Sequence, residues 1–130
     1  MRILSIVTRP ESAPRIPAQD EMERTGALIS ELVSHGSLID AGGTWPGLLE
    51  MQITRRGGEY SIVDGPFSEA KEVVGGYVLI EVPDREAAIA LTRRILDVSG
   101  DGTFDLHQIV EGPADEPAAP EPTREAVPKT

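Results

Sequence analysis

The stretch Asp64-Gly65-Pro66-Phe67-Ser68-Glu69-Ala70-Lys71-Glu72-Val73-Val74-Gly75-Gly76-Tyr77 decides how this chain is read. It separates two apolar runs, Tyr60-Ser61-Ile62-Val63 and Val78-Leu79-Ile80-Glu81-Val82. Within it stand one proline, three glycines, two aromatic rings and four charged side chains. Proline fixes φ, and glycine opens backbone regions closed to other residues. Such a connection specifies a fixed turn and then a double-glycine return into a sheet. A generic surface loop needs neither.

Downstream, Tyr77 to Val82 reads as a strand with few polar interruptions. Asp84 after Pro83 is placed to cap a helix, and Arg85 to Leu96 is rich in Ala, Leu and Ile. A last strand runs from Thr103 to Val110, with Phe104, Leu106 and Gln108 on one face and Asp105, His107 and Ile109 on the other. Upstream, Leu49, Met51 and Ile53 alternate with Glu50, Gln52 and Thr54, the pattern of a strand with one apolar face. Arg55-Arg56-Gly57-Gly58-Glu59 turns it back on Tyr60–Val63 as a hairpin. Before it lie a short extended piece, Ser37 to Ala41, and a built loop, Gly42-Gly43-Thr44-Trp45-Pro46-Gly47.

The N-terminal third holds a short strand, Ile3 to Val7, then a loop punctuated by Pro10, Pro14 and Pro17. A helix follows from about Pro17–Gln19 to His35. Met22, Thr25, Ile29, Leu32 and Val33 recur at helical spacing, and Asp20, Glu21 and Glu23 suit the positive end of the helix dipole. Gly36 is a natural terminator.

The order strand, helix, strands, strand, helix, strand is an α+β arrangement of the ferredoxin-like, split βαβ type. Two helices cover one face of such a sheet. The other face still carries apolar side chains, and a second copy of the chain is the economical cover. The expectation is a homodimer with a barrel-like interior; the alternative is a monomer whose second face is simply polar. Residues 1–111 form the domain. Residues 112–130, rich in Pro, Ala and charge, read as a disordered acidic tail.

Composition narrows the function classes. The chain has 130 residues, room for one domain of about 110 plus the tail. Its formal charge of -10 argues against nucleic acid and anionic membrane as partners. With no cysteine there is no disulfide, thiol nucleophile or thiolate metal site. Two histidines without ligand spacing give no metal motif, and no phosphate loop or dinucleotide fingerprint is present. No cofactor is expected. The N-terminus lacks the features of a signal peptide, and no apolar run reaches the length of a membrane span, so a cytoplasmic location is expected.

Asp64 has two compatible readings: a turn former accepting backbone N–H groups, or a carboxylate at the mouth of a cleft. His107, on the strand face shared with Asp105, is either an ordinary polar position or a general acid–base group facing an inter-subunit cavity. Glu50 is a further acid–base candidate. Phe67, Tyr77, Gly75, Gly76 and Trp45 are candidate pocket residues, each with a plain alternative in core or turn packing. His35 fits the C-terminal end of its helix for dipole reasons alone.

The central motif, the helix before His35-Gly36, the Gly42-Gly43 region and the strand pair across Gly57-Gly58 together resemble the YCII-related proteins of the DGPF type. The resemblance spans about residues 1–111. It implies a dimeric α+β barrel, similar in fold to muconolactone isomerase and small haem-free monooxygenase-like proteins. Activity in that family is mostly unassigned; an early His and an Asp facing a cavity have suggested enzymatic function. This chain has no His before His35, so that dyad does not carry over, and Asp64 is the motif carboxylate. The DGPF type is also associated with extracytoplasmic-function sigma-factor systems, a contextual link that implies no DNA contact. Two functions follow. One is an enzyme-like binder of a small organic molecule, with isomerase- or lyase-type proton transfer near Asp64. The other is a non-catalytic regulatory or interaction module.

Overall fold

Alternation along the first strand sets the two faces of the main sheet. The computed structural model describes residues 1–10, 18–45, 47–65 and 72–115. The elements are β1 (Arg2–Pro10), α1 (Gln19–Ser34), β2 (Leu38–Gly43), β3 (Met51–Arg56), β4 (Glu59–Asp64), β5 (Glu72–Glu81), α2 (Arg85–Ser99) and β6 (Thr103–Gln108). A single 3-10 turn, Pro113–Asp115, follows. On β1, Ile3 lies between Ile80 and Gln108, Ser5 between Val78 and Leu106, and Val7 between Gly76 and Phe104. These positions face the helices. Leu4, Ile6 and Thr8 point the other way, because successive strand residues alternate.

The fold is α+β, with six strands in two antiparallel sheets and two helices among the described residues. The main sheet has the order β2-β5-β1-β6. Helix α1 joins β1 to β2 across β5, and α2 joins β5 to β6 across β1, which is the split βαβ arrangement. The β3–β4 hairpin, inserted between β2 and β5, forms its own two-stranded sheet. Its extensive contacts are confined to its own two strands.

The core lies between the helices and the main sheet. Ile3, Leu38, Val78, Ile80 and Val82 meet Leu28 and Leu32 of α1 and Ala88 of α2. Of the residues expected on the buried face of α1, Leu32 is buried, whereas Met22 and Val33 are exposed. Leu28, four residues before Leu32, completes that face instead, and Met22 and Val33 sit beyond its margins. The helix ends are specified locally. Asp84 Oδ1 accepts the Ala87 N–H at 2.8 Å. At the end of α1, Gly36 (φ 74) donates to the Val33 carbonyl and Ser37 to the Leu32 carbonyl, both at 3.0 Å. That is a Schellman close with His35 as the C-cap. An Arg94–Glu31 ion pair joins the helices, and Arg9 donates to the Ser99 carbonyl at 2.7 Å.

Several strand boundaries differ from the sequence reading, β6 ending at Gln108 and β1 running on to Pro10 among them, and two of the differences bear on the site. The turn of the hairpin is Gly57-Gly58 alone, with φ of 59 and 83; Arg55 and Arg56 belong to β3. Two positive φ values in a two-residue loop match the twist of antiparallel strands. The second difference is β5, which begins at Glu72 rather than Tyr77. The double glycine therefore lies inside a strand. Val7 pairs with Gly76 but Thr8 with Val74, so Gly75 is the extra residue of a bulge. Gly76 has φ 148, and a Cβ there would collide with the Gly42 carbonyl oxygen.

Candidate functional site

The face of the main sheet turned away from the helices carries Leu4 and Ile6 of β1, Tyr77 and Leu79 of β5, Asp40 of β2, and Asp105 and His107 of β6. Two cross-strand rows organise it. One runs Asp40, Leu79, Leu4, His107; the other runs Gly42, Tyr77, Ile6, Asp105. At a strand spacing of about 4.8 Å, the outer members of a row stand roughly 14 Å apart. The result is an apolar strip of Leu4, Ile6 and Leu79, with polar groups along both long sides.

Asp40 reaches this face through an irregularity. Leu38 pairs with Ile80 and Asp40 with Leu79, so Ile39 is the additional residue of a bulge in β2. Without it the carboxylate would fall on the helix side, since a one-residue shift exchanges the faces. Once there, Asp40 Oδ1 accepts the Ala41 N–H at 2.9 Å and Oδ2 accepts the Tyr77 hydroxyl at 2.7 Å. The ring of Tyr77 lies across Gly42. A Cβ at that position would come within 2.6 Å of the ring Cε1, so only glycine leaves room for this pose. The Asp40 hydrogen bond, then burial, then charge repulsion from the same carboxylate raise the Tyr77 phenol above its ordinary value. Tyr77 therefore stays protonated and donates at neutral pH.

The candidates from sequence divide into two sets. Tyr77 and His107 are on the open sheet face, joined there by Asp40, which sequence reasoning missed. The only signal for Asp40 was an acidic residue in a short strand before Gly42-Gly43; the bulge that turns it outward is a matter of pairing. Asp64 and Glu50 belong to the hairpin. Asp64 pairs with Met51, and Gly65 donates to the Glu50 carbonyl at 2.8 Å. The Glu50 side chain packs over Gly65, leaving no space for a Cβ. Among the described residues, no hydrogen bond or ion pair links Asp64 or Glu50 to Tyr77 or His107.

Gly75 and Gly76 form the β5 bulge beside Thr44, whose hydroxyl donates to the Val74 carbonyl at 2.6 Å. Trp45 follows in the exposed loop. Phe67 lies outside the described residues, as does most of the tail; Asp115 accepts the Glu111 N–H at 2.8 Å at the tail's beginning. Among the described residues, no three His, Asp or Glu side chains come together as a metal site. No described helix is long and apolar enough to cross a membrane.

The Gly42 platform and the glycine bulge of β5 are the structural counterpart of the Gly42-Gly43 and Gly75-Gly76 motifs. No curated protein matches the sequence significantly. The family model for the YCII-related domain matches residues 1–111, and the chain belongs to the YCII-related family.

Proposed function

We propose that this protein is a cytoplasmic homodimer of the DGPF type, a dimeric α+β barrel that binds a small organic molecule on the open sheet face. Asp40 and Tyr77 are its polar anchor, and proton transfer of the isomerase or lyase kind is the chemistry the pair supports. The carrying observation is the 2.7 Å hydrogen bond from Tyr77 to Asp40 beside the strip of Leu4, Ile6 and Leu79. Among the described residues each Asp40 oxygen has one partner, which leaves it a lone pair for a ligand donor. The phenol fixes the carboxylate in place, as a proton acceptor must be fixed to act. Asp40 and Asp105 on one face, in a chain of charge -10, favour a neutral or cationic ligand over an anionic one. His107, across the strip from Asp40, is the second proton-transfer candidate; Asp64 and Glu50 reach a cavity only by way of the hairpin.

The test has two parts. Light scattering is expected to give about 28 kDa, twice the 14.0 kDa chain. Thermal shift with phenol, benzylamine and benzoate as probes is expected to stabilise the wild type with benzylamine or phenol and not with benzoate. Asp40→Asn should abolish that response. A mutant that responds as the wild type does sinks the pocket reading. A non-catalytic interaction role is favoured by one observation, the exposed apolar face of the hairpin.

A further inference from the structure

The hairpin presents an apolar face that the other described residues leave open. Register places Met51, Ile53 and Arg55 of β3 opposite Asp64, Ile62 and Tyr60 of β4 on that face. Leu49, two residues before Met51, extends it and is 87% exposed. The other face carries Gln52, Thr54 and Arg56 opposite Val63, Ser61 and Glu59. A two-stranded hairpin is at best marginally stable alone in water, so one apolar face without a neighbour implies a neighbour.

We propose that the β3–β4 hairpin is a dimerisation arm, whose apolar face docks on the open sheet face of a second copy of this chain, with Arg55 against Asp105. This rests on the homodimer reading above and names the element that makes the dimer.

Three observations select a second copy as the occupant. The first is complementarity of surface: among the described residues the hairpin bears an exposed apolar face and the main sheet a half-buried apolar strip, Leu4, Ile6 and Leu79. A two-fold axis satisfies both at once in each copy. The second is charge. Arg55 makes no ion pair among the described residues and sits on the apolar face beside the turn, while the sheet strip is flanked by Asp40 and Asp105. The cation of the hairpin face thus has an anion to meet at the edge of the sheet strip.

The third is placement and reach. The hairpin leaves the main sheet after Gly43 and returns at Glu72, the end of the sheet where Gly42 and Tyr77 pair. Its strands have six residues each, about 20 Å of length, against roughly 14 Å across four strands. An arm of that length spans the partner's sheet and closes the end of the cavity nearest Tyr77 and Asp40.

The hairpin has its extensive contacts only within itself, so polar substitutions there are expected to leave the helix-and-sheet core folded. Sedimentation equilibrium of the full chain is the experiment, with circular dichroism as the check on folding. Ile53→Asp combined with Ile62→Asp should raise the dimer dissociation constant on the order of 30-fold or more. Thr54→Asp, on the opposite face, should leave it unchanged. Arg55→Glu should weaken the dimer and flatten its dependence on salt. A dimeric wild type whose double variant stays as tightly paired overturns the arm alone and leaves the hairpin to another occupant. Equal weakening by Thr54→Asp overturns it too. A monomeric wild type overturns both this inference and the homodimer on which it rests.

Discussion

Strands β4 and β5 are built from similar residues and meet different surroundings. In β5, Val78 and Ile80 are packed under both helices, and Ile80 is 1% exposed. In β4, Ile62 and Val63 have the same β-branched chemistry and the same alternation, yet Ile62 is 63% exposed. The difference comes from what lies above each face. Helix α1 crosses back over β5 and helix α2 over the neighbouring β1, because the split βαβ connections return both to that face. The hairpin is closed by its own two-residue turn, which brings no covering element with it. Alternation assigns a residue to a face; whether that face is covered depends on what packs on it.

The sharpest way to break this comparison is a pair of truncations. Ile80→Ala should cost about 2–5 kcal/mol, because a cavity forms where both helices and the neighbouring strands hold the site. Ile62→Ala should change the stability of the folded chain, at protein concentrations too low for pairing, by less than about 0.5 kcal/mol. Denaturant melts of both at low concentration provide the check. Equal losses would mean that the hairpin packs on its own core.

A second contrast concerns backbone rather than side chain. Gly76→Ala sets a side chain at φ 148 against the Gly42 carbonyl and should cost on the order of 1–3 kcal/mol. Next in size is the cap of α2. Asp84→Ala removes the acceptor for the Ala87 N–H, with an expected loss of about 1 kcal/mol by thermal melting.

The smallest effect is on titration. Tyr77 has its pKa raised in the folded chain, so its contribution to stability is fully present below pH ~10 and is lost as pH rises through the folded value. Tyrosinate absorbance should show a step above pH ~10 that Tyr77→Phe deletes and Asp40→Asn moves downward. Gly42→Ala should move it as well, by pushing the ring off its platform. A step that ignores both substitutions would show that the Tyr77–Asp40 pair does not persist in solution.

Much of the fold was legible in the sequence because its signals are local. Asp84 before an Ala- and Leu-rich segment, Gly36 after a helical repeat, and Gly57-Gly58 between alternating strands each act within a few residues. The start of β5 was not legible: Gly75-Gly76 reads as a break in one dimension and becomes a bulge only when β1 lies alongside. Half of the candidate site was legible as well. Tyr77 and His107 stood out by type, and strand parity placed Asp105 and His107 on one face.

The sequence by itself determined the order of the elements, the cap and turn chemistry, the alternation of each strand and membership of a family through residues 1–111. All of these depend on neighbours along the chain or on a motif read in line. Tertiary structure alone decided that Asp40 meets Tyr77, and that the hairpin carrying Asp64 and Glu50 forms a sheet of its own. It also decided which apolar faces the helices reach. Those outcomes turn on strand register, on the two bulges and on the path of α1 and α2. A single extra residue, Ile39 or Gly75, redirects the side chains that follow it, and only the paired strand fixes where that extra residue falls.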